Sequence, residues 1–201
     1  MFSTKRIASS KSASYATGAD FCRIFQTDMN HLFLLSYLLT ADSSTAELCF
    51  VQGLEDARNG SPVFKEWAHS WARRLLVVNA IRMLRPRPES SHTLSASSHI
   101  ANNAIPLPAG IASILALNTF DRFAFAMSVL EGYSDRECSL LLECSISDLV
   151  AARTRALQQI GNPADLRHEV AAIDSGKPLL SPDVAAAIGP AVVPSQLAAS
   201  A

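Results

Sequence analysis

The stretch GYSDRECSLLLECSISDLVAARTRALQQI, residues 132–160, decides how the chain is read. Ser134 followed three residues later by Glu137 forms a capping box, the signature of a helix start. Leu140, Leu141 and Cys144 supply the apolar side of that first helix. The chain then turns at Cys144-Ser145-Ile146. Ser147 is placed to cap a second helix, with Asp148 in the first turn, where the helix dipole favours a carboxylate. Leu149, Ala152, Ala156 and Ile160 recur at helical spacing and hold the second helix to its partner. Two helices joined by so short a turn make a helix-turn-helix. The second helix of such a motif can lie in the major groove of DNA, its early residues against base edges. Arg153, Arg155, Thr154 and Ser147 are the candidate DNA contacts on it.

Outward from this stretch, the rest of the chain is also helical. No alternating apolar run bounded by turn residues marks a strand, while 3.6-residue periodicity recurs along the chain, so the fold class is all-α. A first block spans residues 20–86. One helix covers about Thr27 to Leu39, along LFLLSYLL. Ser44 and Glu47 form a second S-x-x-E capping box for the next helix, AELCFVQGLEDA. Gly53 inside it costs about 1 kcal/mol against Ala, which points to a close helix crossing. Ser61 caps a third helix with Pro62 in its first position. Phe64, Trp67, Ala68, Trp71, Ala72 and Leu75 follow the i, i+3, i+4, i+7 rule and define its buried face. Lys65, His69 and Arg73 lie opposite, with Arg74 beside them and Arg82 further on.

Four prolines and many serines in residues 85–110 argue against a packed element, so residues 87–109 are read as a linker between two independently moving units. The helix-turn-helix block spans residues 110–162. Residues 1–19 read as a disordered lead-in and residues 163–201 as a low-complexity tail rich in Ala, Pro and Ser.

Composition sets limits. The chain of 201 residues is 49% apolar and 17% charged, with formal net charge −1. The charged fraction lies below the roughly 25% usual for globular proteins. A strongly basic balance would argue for nucleic acid by itself; here any such contact must come from local patches. The four cysteines form no CxxC pair and read as buried thiols in a reducing cytoplasm. No His or Cys spacing fits a zinc site. The longest apolar run falls far short of the roughly 20 residues that cross a bilayer. No G-x-S-x-G, H-E-x-x-H or P-loop occurs, so neither catalysis nor a cofactor is expected.

Three tracts together resemble one family, the bacterial RNA polymerase sigma factors of the short extracytoplasmic-function type. Such proteins join a promoter-melting helical domain, region 2, to a helix-turn-helix domain, region 4, through a linker. YLLTADSSTAEL resembles region 2 through Thr40, Asp42, Ala46 and Glu47, and FKEWAHSWARRL through Phe64, Trp67, Ala72, Arg73 and Leu75. VLEGYSDRECSLLLECSISDLVAARTRAL resembles region 4 through Leu130, Glu131, Gly132, Tyr133, Ser134, Glu137, Ser145, Arg155 and Ala156. The resemblance implies a cytoplasmic factor that binds core RNA polymerase through Glu47 and Gln52. It implies that Lys65, His69, Arg73, Arg74 and Arg82 meet the phosphates of melted promoter DNA, and it adds an anti-sigma factor as a further candidate partner. The chain also departs from the family. Leu48 replaces an acidic residue after Glu47, and Leu149, Val150, Ala151 and Ala152 stand where the family has a cation-bearing V-K-S-R tract. A degenerate adaptor that binds polymerase or a regulator without promoter recognition is therefore the alternative.

Overall fold

The computed structural model describes residues 14–88 and 109–160. It is all-α. The first block holds α1 (Gly18–Thr27), α2 (Met29–Thr40), α3 (Ser43–Asn59) and α4 (Ala68–Leu84); the second holds α5 (Ala109–Leu115), α6 (Thr119–Phe125), α7 (Asp135–Leu142) and α8 (Ile146–Ile160). Among the described residues the only extended pairing is a single antiparallel bridge between Tyr15 and Phe64.

Local chemistry sets the helix starts. Thr17 and Asp20 form a capping box at α1, inside the stretch expected to be a disordered lead-in. The helix expected over Thr27–Leu39 begins instead at Met29, after a break at Asp28. At α3 the cap is Asp42, whose carboxylate accepts from the Thr45 amide at 2.8 Å, rather than Ser44. That bond and the Thr45 hydroxyl hold the Asp42 carboxyl below its ordinary range. Ser61 and Pro62 do not open the third helix. The Ala16 amide donates to the Val63 carbonyl and the Lys65 amide to that of Ser14, keeping this segment extended. A single 3₁₀ turn, Lys65–Trp67, then leads into α4. The shift of start changes the buried face. Ala68, Ala72, Leu76, Val77 and Ala80 are buried, Phe64, Trp71 and Leu75 are half-buried, and Trp67 is 59% exposed.

The Gly53 expectation holds. A Cβ there would lie 2.5 Å from Cδ2 of the fully buried Leu76, so α3 and α4 cross where only hydrogen fits.

α2 organises the whole. Its nine consecutive residues Leu32–Thr40 are all buried, as befits a helix that is apolar all round. The two polar members are satisfied within the helix: the Ser36 hydroxyl donates to the Leu32 carbonyl and that of Thr40 to the Ser36 carbonyl. Such back-bonding lets Ser and Thr sit inside apolar helices. On one side Leu32, Phe33 and Leu35 join a core with Phe25, Phe50 and Leu76, which also takes in Phe120, Phe123, Met127, Cys138, Leu142, Leu149 and Ala152 from the second block. On another side Leu34 and Leu38 pack with Ile111, Ile114, Leu117, Phe125 and Ala156. The two blocks thus share one core across the 87–109 boundary, which corrects the expectation of independently moving units. Residues 89–108, most of the stretch read as linker, and the tail 163–201 lie outside the described residues.

Overpacking a tight core site costs about 1–3 kcal/mol. Gly53→Val is expected to lower the unfolding free energy by that much in urea titration, with the helix content of the folded baseline unchanged.

Candidate nucleic-acid interface

The helix-turn-helix forms as α7, a three-residue turn and α8. Ser134 and Glu137 cap α7 reciprocally: the Ser134 amide and hydroxyl donate to the Glu137 carboxylate at 3.0 and 2.6 Å, and the Glu137 amide returns to the Ser134 hydroxyl. These bonds hold the Glu137 carboxyl below its ordinary range. Glu143 takes the left-handed conformation that ends α7. α8 starts from Ser145, not Ser147. The Ser145 hydroxyl accepts from the Asp148 amide, and the Ser145 carbonyl accepts the first helical bond, from Leu149. Leu149, Ala152 and Ala156 are buried as expected, and Ile160 is half-buried. Leu140 faces outward, so Cys138 and Leu142 bury α7, with Leu141 half-buried.

Both arginines of α8 are held by carboxylates. Arg153 bonds Asp135 of α7. Arg155 grips Asp121 of α6 bidentately, at 3.0 Å from Nε and 2.6 Å from Nη2. Asp121 is 1% exposed and also accepts from the Asn118 side chain at 2.8 Å. The Thr154 hydroxyl donates to the Val150 carbonyl, and the Ser147 hydroxyl pairs with that of Ser145. Exposed on α8 as far as Arg155 are the uncharged Ile146, Ser147, Val150, Ala151 and Thr154, together with the charged Asp148 and Arg155.

The first-block cations divide into two groups. Lys65 lies 3.4 Å from Asp20 and His69 Nε2 lies 2.9 Å from Asp28, yet both side chains stay over half exposed. His31 meets the other Asp28 oxygen at 2.8 Å, so Asp28, held within α2 by His31, ties the start of α2 to α4 through His69. Arg82 reaches Asp56 at 3.2 Å from an exposed position. Arg73 and Arg74 instead reach into the second block. Arg73 donates to both oxygens of Glu131, a side chain only 6% exposed, and that carboxylate raises the arginine's pKa. Burial pushes the Tyr133 phenol's pKa up, while Arg74 lies close enough to its hydroxyl to favour the ionised form.

Reading from the sequence missed an exposed aromatic row. The Tyr15 ring stacks on Phe64 with centroids 4.8 Å apart, and Trp67 meets Phe64 edge-on at 5.6 Å. Tyr15 and Trp67 are both more than half exposed, and Lys65 sits between Phe64 and Trp67 in the chain. Trp67 turns outward because it belongs to the 3₁₀ turn before α4 rather than to the helix, and no local pattern separates the two. On α3, Glu47 is half-buried, while Leu48 and Gln52 are exposed one turn apart.

Among the described residues no group of three or more His, Cys, Asp or Glu is placed to hold a metal, and no helix is long and apolar enough to cross a membrane. No protein-family profile, no curated protein and no solved structure matches the chain.

The Arg155–Asp121 pair separates two roles for Arg155. Removing the guanidinium strands a buried carboxylate, which costs about 3 kcal/mol. Arg155→Ala is therefore expected to lower the melting temperature sharply, measured by circular dichroism. A side chain serving only an outside ligand would leave stability within about 0.5 kcal/mol.

Proposed function

We propose that the chain is a sigma-like, cytoplasmic transcription initiation factor that binds core RNA polymerase and promoter DNA. Its first block would hold the melted strand and its helix-turn-helix would enter the major groove. The observation that carries this reading is the occurrence, in one chain and in this order, of two elements. The first is a helical block presenting Lys65, His69 and Trp67 to solvent. The second is a helix-turn-helix with both helices capped. A single-strand site combines cations with open aromatic faces, and that combination is what surrounds Trp67. Glu47 and Gln52 on α3 are the proposed polymerase contacts, and an anti-sigma factor is the proposed inhibitory partner.

A second reading is favoured by one observation: Arg153 and Arg155 are both engaged by carboxylates, and the outward face of α8 carries Ile146 and Val150. In that reading the chain is an adaptor that binds polymerase or a regulator and leaves promoter sequence unread.

Two measurements on the full chain separate the readings. An initiation factor co-purifies with core polymerase, loses that association in Glu47→Lys, and binds promoter DNA with a log–log salt slope of about −0.9 per phosphate contact. An adaptor co-purifies equally well but shows no salt-dependent DNA binding. Failure to co-purify at all contradicts the initiation factor and the polymerase-bound adaptor, and leaves only an adaptor for a regulator.

A further inference from the structure

The turn that follows α6 has an unusual build. Residues Ala126–Leu130 form a π turn, in which the Glu131 amide reaches back to the Ala126 carbonyl at 2.9 Å. The Tyr133 amide bonds the Met127 carbonyl, also at 2.9 Å. Gly132 between them has φ of +71°, a conformation that glycine adopts without strain. The result is that residues 131 and 133, on either side of the glycine, both point back at α4. Glu131 takes both donors of Arg73, and Tyr133 comes beside Arg74. π turns are rare and are often found at functional sites.

We propose that Glu131-Gly132-Tyr133 is a clasp that closes over Arg73 and Arg74, masking these two consecutive arginines of α4 from an anionic ligand. The inference rests on the nucleic-acid reading of α4 and adds its regulation. A carboxylate offers a guanidinium the same two-oxygen fork as a phosphate, so Glu131 occupies the position that a strand phosphate would take. The cation row of α4 is cut short accordingly. Lys65, in the turn before α4, and His69 each meet a carboxylate yet keep over half of their side chains in solvent, while Arg73, one turn further along, is gripped by the nearly buried Glu131. Arg73 is 31% exposed, which puts the clasp at the rim of the seam between the blocks. The masked chain is thus a resting form, and the competent form is the one in which the clasp has been exchanged for phosphates.

The test uses the full chain and three variants. Glu131→Gln weakens the clasp at Arg73, and Tyr133→Phe removes the hydroxyl that meets Arg74 while keeping the ring. Glu66→Gln makes the same charge change as Glu131→Gln at an exposed side chain outside the clasp. Two quantities are read: phenylglyoxal modification of each arginine by mass spectrometry, and anisotropy of a labelled single-stranded DNA 20-mer. Loss of one charge-assisted bond corresponds to about tenfold. Glu131→Gln is expected to speed modification of Arg73 and tighten oligonucleotide binding by about that factor relative to Glu66→Gln. Tyr133→Phe is expected to act in the same direction at Arg74. Unchanged arginine reactivity in a folded Tyr133→Phe, and in Glu131→Gln if it folds, overturns the clasp. Faster modification with no gain in oligonucleotide binding upholds the clasp and overturns the nucleic-acid reading on which it rests.

Discussion

The burial of α2 on every side is the constraint from which the rest follows. A helix that hides nine consecutive residues needs neighbours all round it. The first block supplies α1, α3 and α4, and these leave Leu34 and Leu38 to be covered by Ile111, Ile114, Leu117 and Phe125 of the second block. Burying each such side chain is worth about 1.5–3 kcal/mol. Arg122 marks how complete the closure is. It is 5% exposed, and its guanidinium donates to the Leu39 carbonyl at 3.2 Å and the Leu117 carbonyl at 2.9 Å. The Leu39 carbonyl belongs to the last turn of α2, where the helix dipole is negative, and that of Leu117 to the turn after α5. Burial alone pulls the pKa of Arg122 down to about 10.

Much of this was legible locally. The Ser134 capping box, the Gly53 crossing and the Leu149, Ala152, Ala156 face all follow from residues a few positions apart, where helix geometry converts spacing into contact directly. The all-α class rests on the same periodicity. The starts at Asp42 and Ser145 were also local, but each lay among several residues able to cap; the start at Ala68 was not local. The bridge between Tyr15 and Phe64 decided it from nearly fifty positions away, beyond the reach of pattern.

What was not legible is what each cation meets. Arg73 and Glu131 are 58 positions apart, and Asp121 and Arg155 are 34 apart. An arginine read in isolation offers itself equally to a phosphate or to a carboxylate elsewhere in the chain. The run LFLLSYLL announced a helix without saying that two blocks would bury it between them. Linker-like composition between the blocks argued for separation, but the apolar faces of α5 and α6 pack on Leu34 and Leu38 of α2 as well as on Ala156 of α8. The functional proposal inherits this geometry: a sigma-like factor must trade internal carboxylates for phosphates, whereas an adaptor can keep them.

Hydrogen exchange followed by mass spectrometry on the full chain, comparing wild type with Leu38→Ala, tests the shared core most directly. If α2 is the common support of both blocks, amide protection falls in residues 119–127 as well as in residues 29–40. Loss of protection confined to residues 18–84, with 119–127 exchanging as in the wild type, would contradict the account.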